Sequence, residues 1–231
     1  MERVESAGAL GPRHHAVLYA LIAREVISAL GPERGEPLVL RATTHYGEGR
    51  GRRMARRARA DGTPLSMAAY LRYGEWSDPN EEAVQESAVE DSDLRVSVRG
   101  CPWHLAWQAH DLLDYGKLYC RVIDEALVRG FNPDLRLNVE STAPNGAESC
   151  RFSFCDGALD AGESAGKGRQ IMSWPYHCAH LVAAMGDVLR LELGDTGDQM
   201  IASALSAFSE LFDGEATMAI CALGDLDFTK V

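Results

Sequence analysis

The sequence predicts an α+β domain in which helices cover an antiparallel sheet, with a helical part at the N-terminus. Three observations lead to this class: helical spacing of apolar residues early in the chain, a hairpin pattern at residues 135–155, and renewed helical spacing after Ser173. We expect one compact domain, since 231 residues suffice for one core. Its parts are a helical part at 1–76, an acidic connection at 77–93 and an α+β part at 94–231.

The helical part opens with apolar side chains three and four residues apart between residues 14 and 30, until Gly31-Pro32 stops the pattern. Leu38-Val39-Leu40 fits either a short strand or the start of a second helix. The basic run between Arg50 and Arg59 contains six arginines, and such a run is usually a solvated helix face. After Asp61-Gly62-Thr63-Pro64, residues 66–76 predict another helix.

The acidic stretch at 77–93 predicts a solvated connection. After it, residues 95–99 alternate between polar and apolar as in a half-buried strand. Pro102 suits the first turn of a helix, Asp114 the N-cap of the next one, and Gly130 the end of that helix.

Residues 135–155 carry the clearest local pattern, because two alternating runs flank Asn145-Gly146, the dipeptide most typical of a tight hairpin turn. In the resulting register Cys150 faces the apolar side of the sheet, which helices should cover. The register also pairs Val139 with Phe152, and Glu140 with Arg151.

Beyond the hairpin, the residues from Asp156 to Gln170 are mostly small and predict a mobile loop. Helical patterning follows at 173–193 and again from Asp198 to Asp213, where Gly214 is expected to stop the helix. The segment Ala216 to Ala222 predicts a final strand.

Composition argues against two classes of protein, those that bind nucleic acids and those that span a membrane. A formal net charge of −11 argues against binding nucleic acid, and no stretch approaches the ~20 apolar residues that span a bilayer. Without a basic-then-apolar leader we expect a cytoplasmic protein whose six cysteines are reduced; no CxxC pair occurs. The expected partner is a small-molecule substrate, not a nucleic acid or a membrane, and assembly into a homo-oligomer stays open.

Cysteines supply the catalytic candidates. Cys101 precedes a helix start, where backbone N–H groups favour a thiolate, and His104 lies three residues on as a base. Cys120 and Asp124 are one helical turn apart and share a face. Each also has a purely structural interpretation as a small buried residue or a surface carboxylate.

Further candidates are polar groups that could bind a substrate. His177 and His180 share an otherwise apolar helix face and suit a metal or a substrate, whereas His14 and His15 are expected to be exposed. Arg53 could clamp a carboxylate. The substrate-binding candidates are Asn138, Thr142, His177, His180 and Arg53.

Several short segments carry a family resemblance. They are Gly51 through Gly62, Cys101-Pro102, Tyr119-Cys120 with Asp124, Gly130-Phe131-Asn132-Pro133, Thr142…Gly146…Cys150-x-Phe152, and Tyr176-His177. Together they resemble the L-2-amino-thiazoline-4-carboxylic acid hydrolase family. The resemblance implies a hydrolase that opens a five-membered ring at a cyclic, non-peptide C–N (amidine-like) carbon and yields an N-carbamoyl amino acid. It also marks Cys120, Asp124 and Cys150 as site positions.

Two mechanisms stay open, attack by a thiolate and attack by a metal-bound water, so the expected cofactor is none or zinc. The G-x-x-x-C-x-F end of the hairpin also resembles vinyl-reductase-like ligand-binding domains. That resemblance implies a non-catalytic domain with zinc held by Cys120, Glu140 and Cys150, although Glu140 faces Arg151 in the predicted register.

Overall fold

The computed structural model describes residues 10–77, 83–158 and 170–230. It is 61% helical, and its described residues form one four-stranded antiparallel sheet with flanking helices, which confirms the predicted α+β class. The elements are α1 (Pro12–Leu30), α2 (Pro32–Ala60), α3 (Met67–Arg72), β1 (Val84–Glu90), β2 (Asp93–Arg99), α4 (Pro102–Ala109), α5 (Leu113–Gly116), a 3₁₀ turn (Tyr119–Arg121), α6 (Ile123–Phe131), β3 (Leu137–Ser141), a 3₁₀ turn (Ala143–Asn145), β4 (Cys150–Phe154), α7 (Trp174–Leu193), α8 (Asp195–Leu211) and α9 (Gly214–Cys221).

Helix α1 is the centre of the helical core. Every residue from His15 to Ala23 is buried, because α2, α4, α7 and α8 all pack around it. It begins with Pro12 at its first position and ends where Gly31 takes a positive φ of 74°. Helix α2 starts at once and includes Leu38-Val39-Leu40, so this segment is helical rather than extended.

Glycines set the contact between α2 and α6. A side chain on Gly51 would overlap the carbonyl oxygen of Leu127, and one on Gly130 would overlap the backbone of Glu48. The two helix backbones therefore cross in direct contact, which only residues without a Cβ permit. At this crossing, Arg50 of α2 lies close enough to the first turn of α6 for its charge to act on Asp124.

The sheet has the strand order β1-β2-β4-β3. Val139 lies opposite Phe152 as predicted, but a bulge after Val139 brings Ser141, not Glu140, opposite Arg151. The connection is also longer than a two-residue turn, because a 3₁₀ turn precedes Gly146. A small apolar cluster attaches the sheet to α3 and α6.

Four other predictions are corrected. Residues 84–90 of the acidic stretch form the exposed edge strand β1, paired with β2 along its length, while residues 78–82 lie outside the described residues. The single helix predicted from Asp114 to Gly130 is split into α5, a 3₁₀ turn and α6. The segment Ala216 to Ala222 is helical, because Asp213 accepts a hydrogen bond from the Ala216 N–H (2.8 Å) and starts α9. Gly214 thus begins a helix instead of stopping one.

The C-terminal helices otherwise match the pattern, with α7 at Trp174–Leu193 and α8 at Asp195–Leu211. Most of the predicted loop falls on residues 159–169, outside the described residues. No helix within the described ranges has both the length and the apolar character needed to cross a membrane.

Candidate functional site

Four candidates from separate elements lie within electrostatic reach of one another: Cys101 just before α4, Cys120 in the 3₁₀ turn, Asp124 in the first turn of α6, and Cys150 at the start of β4. Burial is the main cause that raises the pKa of each thiol, and the negative charge of Asp124 raises it further. We use the name Cys–Asp crevice for these four residues.

Asp124 is the group in the crevice that titrates nearest to neutral pH. Protein surrounds its carboxyl, yet the residue keeps partial access to solvent. Burial raises its pKa to about 6, against the opposing positive charge of Arg50 and with a smaller contribution from Glu125. A carboxylate with this pKa can both accept and return a proton near neutral pH.

The three thiols are protonated at neutral pH. Burial raises the pKa of Cys101 to about 11, although the backbone N–H groups of Trp103 and His104 act in the opposite direction. The prediction that Cys101 is a thiolate at this helix start is therefore wrong. The pKa of Cys120 lies well above its ordinary value, and the Cys150 sulfur accepts a hydrogen bond from the Ala143 N–H (3.3 Å). Any thiolate in the crevice needs a base to form.

Arg50 is a buried cation whose charge acts on Asp124. The residue is buried, and its Nε donates a long hydrogen bond (3.4 Å) to Glu75 Oε2. Its guanidinium lies 5.7 Å from the ring centroid of Tyr46. Among the described residues, its two terminal nitrogens have no hydrogen-bond partner. These two N–H₂ groups are thus free to bind an anionic group near Asp124.

A second charged group, which we call the Glu75 cluster, joins Glu75 to three arginines of α2. Glu75 is fully buried after α3, and its carboxylate accepts two hydrogen bonds of 2.7 Å from Arg53 and one of 2.9 Å from Arg57, besides the contact with Arg50. Burial raises the pKa of Glu75, but the three arginines outweigh it, so the net shift is downward. The basic run is therefore not a solvated face at these positions.

Arg53 and the two late histidines belong to the Glu75 cluster, not to the crevice. The remaining nitrogen of Arg53 donates to the Phe228 carbonyl oxygen (2.9 Å), so its donors are engaged within the protein. His177 Nε2 lies 3.2 Å from the Glu75 carbonyl oxygen, and His180 Nδ1 lies 3.4 Å from Arg53 Nη1. Burial, with nearby arginines, lowers the pKa of His177 to about 2 and lowers that of His180, so both are neutral.

His15 corrects another expectation, because it is buried rather than exposed. Its Nε2 lies 3.0 Å from the Tyr46 hydroxyl, and its Nδ1 accepts from Trp103 Nε1 at 3.2 Å. Burial, then the neighbouring His177 and Arg50, lowers its pKa.

The remaining candidates divide between the crevice and the sheet surface. Thr142 is buried beside the Cys150 turn and accepts from Asn145 Nδ2 (2.8 Å), and His104 is half-buried on α4. Asn138 is exposed on β3.

Glu140 is held on the sheet by Arg95 at 2.6 Å, so the structure does not bring together the proposed zinc ligands Cys120, Glu140 and Cys150. Within residues 10–77, 83–158 and 170–230, no three His, Cys, Asp or Glu side chains are placed to hold a metal ion.

Sequence reasoning missed Glu75 and the role of Arg50. The spacing of Arg50, Arg53 and Arg57 by three and four residues places them on one helix face, and this signal was available. The carboxylate that pairs with all three is 18 to 25 residues away, so no local pattern connects it to the arginines.

Comparison with known proteins agrees with the resemblance. Neither the curated proteins nor the solved structures contain a match to this chain. The family model described as L-2-amino-thiazoline-4-carboxylic acid hydrolase matches residues 12–154, which is more than half of the 231 residues and includes the whole Cys–Asp crevice. The chain therefore belongs to the L-2-amino-thiazoline-4-carboxylic acid hydrolase family.

Proposed function

We propose that this protein hydrolyses a small cyclic amidine bearing a carboxylate, such as L-2-aminothiazoline-4-carboxylate, in the Cys–Asp crevice. The observation that carries the proposal is Asp124, a carboxyl whose pKa is raised to about 6 beside three protonated thiols. Family membership supplies the reaction class.

In the proposed first step, Asp124 accepts the proton of the Cys120 thiol as its sulfur bonds to the amidine carbon. The bond from that carbon to the ring sulfur then breaks, and the departing sulfur takes the proton from Asp124. The ring is now open, and the former amidine carbon is held on Cys120 as an isothiourea.

Water completes the reaction. Asp124 accepts one proton from the water whose oxygen bonds to the same carbon, and the bond to Cys120 breaks as its sulfur regains that proton. The second proton of the water moves from this oxygen to the former ring nitrogen as the C=O bond forms. The product is an N-carbamoyl amino acid with a free thiol, and the enzyme returns to its starting state.

Cys120 is the preferred nucleophile among the three thiols. Cys150 is buried and its sulfur already accepts the Ala143 N–H, while Cys101 is held at the start of α4. Cys120 lies four residues before Asp124 and within its electrostatic reach.

Arg50 would bind the substrate carboxylate. Its terminal nitrogens form a planar fork that matches a carboxylate, and Glu75 fixes the guanidinium from its Nε side. This role replaces the one expected for Arg53, whose donors are engaged within the protein.

The test uses L-2-aminothiazoline-4-carboxylate and follows the thiol released by ring opening, with mass spectrometry of the product. We expect Cys120→Ser and Asp124→Asn each to lower kcat/KM by about 100-fold or more. Cys221→Ser is the matched control, because Cys221 is exposed on α9.

Full activity in both crevice variants would refute the site. Loss in Asp124→Asn alone would show that Asp124 activates water directly, without a covalent intermediate. If wild-type protein released no thiol from this substrate, the proposed substrate would be wrong.

A further inference from the structure

A cavity of about 200 Å³ lies against the Glu75 cluster and shares no lining residue with the Cys–Asp crevice. Its polar walls come from α2, from the segment before α7, from α7 itself and from the C-terminal segment. The polar lining residues are Arg53, Arg57, Gln170, Tyr176, Asp227 and Lys230.

Among the described residues, the charges of the Glu75 cluster beside this cavity do not balance. Three buried guanidiniums surround one carboxylate, and the neighbouring His177 and His180 are neutral, so the Glu75 cluster carries two more positive than negative charges. Arg50 also acts on Asp124, but the two form no ion pair among the described residues, so Asp124 offsets at most part of this excess. Uncompensated buried charge is costly, and therefore a counter-ion is expected.

Among the arginines that line the cavity, Arg57 has hydrogen-bond donors that the described residues leave unused. The residue is only 7% exposed, and its Nε has no hydrogen-bond partner among the described residues. Its Nη1 makes one long contact, 3.4 Å to Gln170 Oε1, which a better acceptor would displace. By contrast, the donors of Arg53 are already used, and its guanidinium lies 5.2 Å from the Tyr176 ring centroid as one wall of the cavity.

The rim carries an exposed cation. Lys230 contacts Asp227 at 3.2 Å, and the Asp227 carboxylate also accepts from the Thr229 backbone N–H and hydroxyl. The Asp227 carboxylate is thus engaged by Lys230 and Thr229, and its charge is not among those named as acting on Arg57. The volume is below the roughly 300–1,000 Å³ of drug-sized pockets and suits an anion of a few heavy atoms.

We propose that this cavity is a binding site for a small oxyanion, a carboxylate or a phosphate group, held by Arg57 at its base and by Lys230 at its rim. The proposal goes beyond the hydrolase function, because the site is separate from the residues that would perform the reaction.

The experiment is calorimetric titration of the full chain with inorganic phosphate and, separately, with malonate, at an ionic strength held constant with chloride. We expect saturable binding of at least one anion, and the tighter of the two identifies the source of the oxyanion. Arg57→Gln should weaken binding by about tenfold or more, and Lys230→Gln by a smaller factor. Lys117→Gln, which removes a lysine outside the cavity, should bind as wild type does.

Two results would overturn the proposal: neither anion saturates, or both Arg57→Gln and Lys230→Gln bind as tightly as wild type. If Arg57→Gln fails to fold, the exposed Lys230→Gln decides alone. Because no substrate is present, failure here leaves the hydrolase proposal untouched, and loss of turnover in the crevice variants leaves this one untouched.

Discussion

The Glu75 cluster and the Cys–Asp crevice place two buried carboxyls beside the same helix, and their pKa values shift in opposite directions. Arginines hydrogen-bond to Glu75 and hold its pKa below the ordinary value, whereas Asp124 has no ion pair within 4 Å among the described residues and burial raises its pKa to about 6. The comparison shows that burial alone does not decide the role of a carboxyl. A cation in direct contact makes it structural, while a cation at a distance leaves it able to exchange protons.

Arg50 connects the two regions. Its Nε contacts Glu75, and its charge lowers the pKa of Asp124 without an ion pair. The same guanidinium therefore anchors one carboxyl and tunes the other.

The largest expected effect is on stability and comes from Glu75→Gln. This change leaves three buried guanidiniums without a carboxylate, so we expect the free energy of unfolding to fall by about 3–5 kcal/mol. Urea unfolding measures it. Glu140→Gln, which breaks the exposed pair with Arg95, should cost less than about 1 kcal/mol and serves as the control. Equal losses for the two variants would show that the Glu75 cluster is not a structural centre.

Asp124→Asn should have the opposite sign and make the protein more stable at neutral pH. The folded pKa of about 6 exceeds the ordinary 3.8, so the folded state binds more protons between these values. The penalty from Asp124 is absent below about pH 3.8, grows as pH rises to about 6, and is constant above it. Asparagine removes a penalty of at most about 3 kcal/mol.

Urea unfolding of wild type and Asp124→Asn across pH 4 to 7 tests this, and only the difference between them matters, because buried neutral histidines such as His177 destabilise the fold towards acid. We expect the difference to grow with pH. A variant less stable than wild type at pH 7 would mean that Asp124 is a structural residue like Glu75.

The sequence supported the predictions that rest on local periodicity. Val139 opposite Phe152 followed from alternation and the turn position, and α1 followed from three-and-four spacing. Glu140 was misplaced because a bulge changes register by one residue without leaving a mark in the alternating pattern. The segment Ala216 to Ala222 was misassigned because a short apolar run fits both periods until its cap at Asp213 is recognised.

Candidate site residues were likewise found where a local pattern marks them and missed where only tertiary packing brings them together. The sequence singled out Cys101, Cys120, Asp124 and Cys150 as candidates, and these four residues lie near one another in the structure, although Cys120 and Asp124 do not share one continuous helix. The pairing of Glu75 with its arginines depends on how α2 packs against the segment after α3. Burial by tertiary packing is also the reason why His15 is not exposed and why Cys101 is not a thiolate, contrary to both predictions.

The smallest expected effect tests the tuning of Asp124 by its neighbour. Glu125 is exposed, and its charge raises the Asp124 pKa. Glu125→Gln should therefore lower the midpoint of the acidic limb of kcat/KM by roughly a few tenths of a pH unit at low salt, and the shift should shrink at 1 M salt because exposed charges are screened. Glu192→Gln is the control, since that exposed glutamate pairs with Arg41 and is not among the charges acting on Asp124. A midpoint that stays fixed or moves upward in Glu125→Gln would show that the acidic limb belongs to another group, and Asp124 would lose its place as the base.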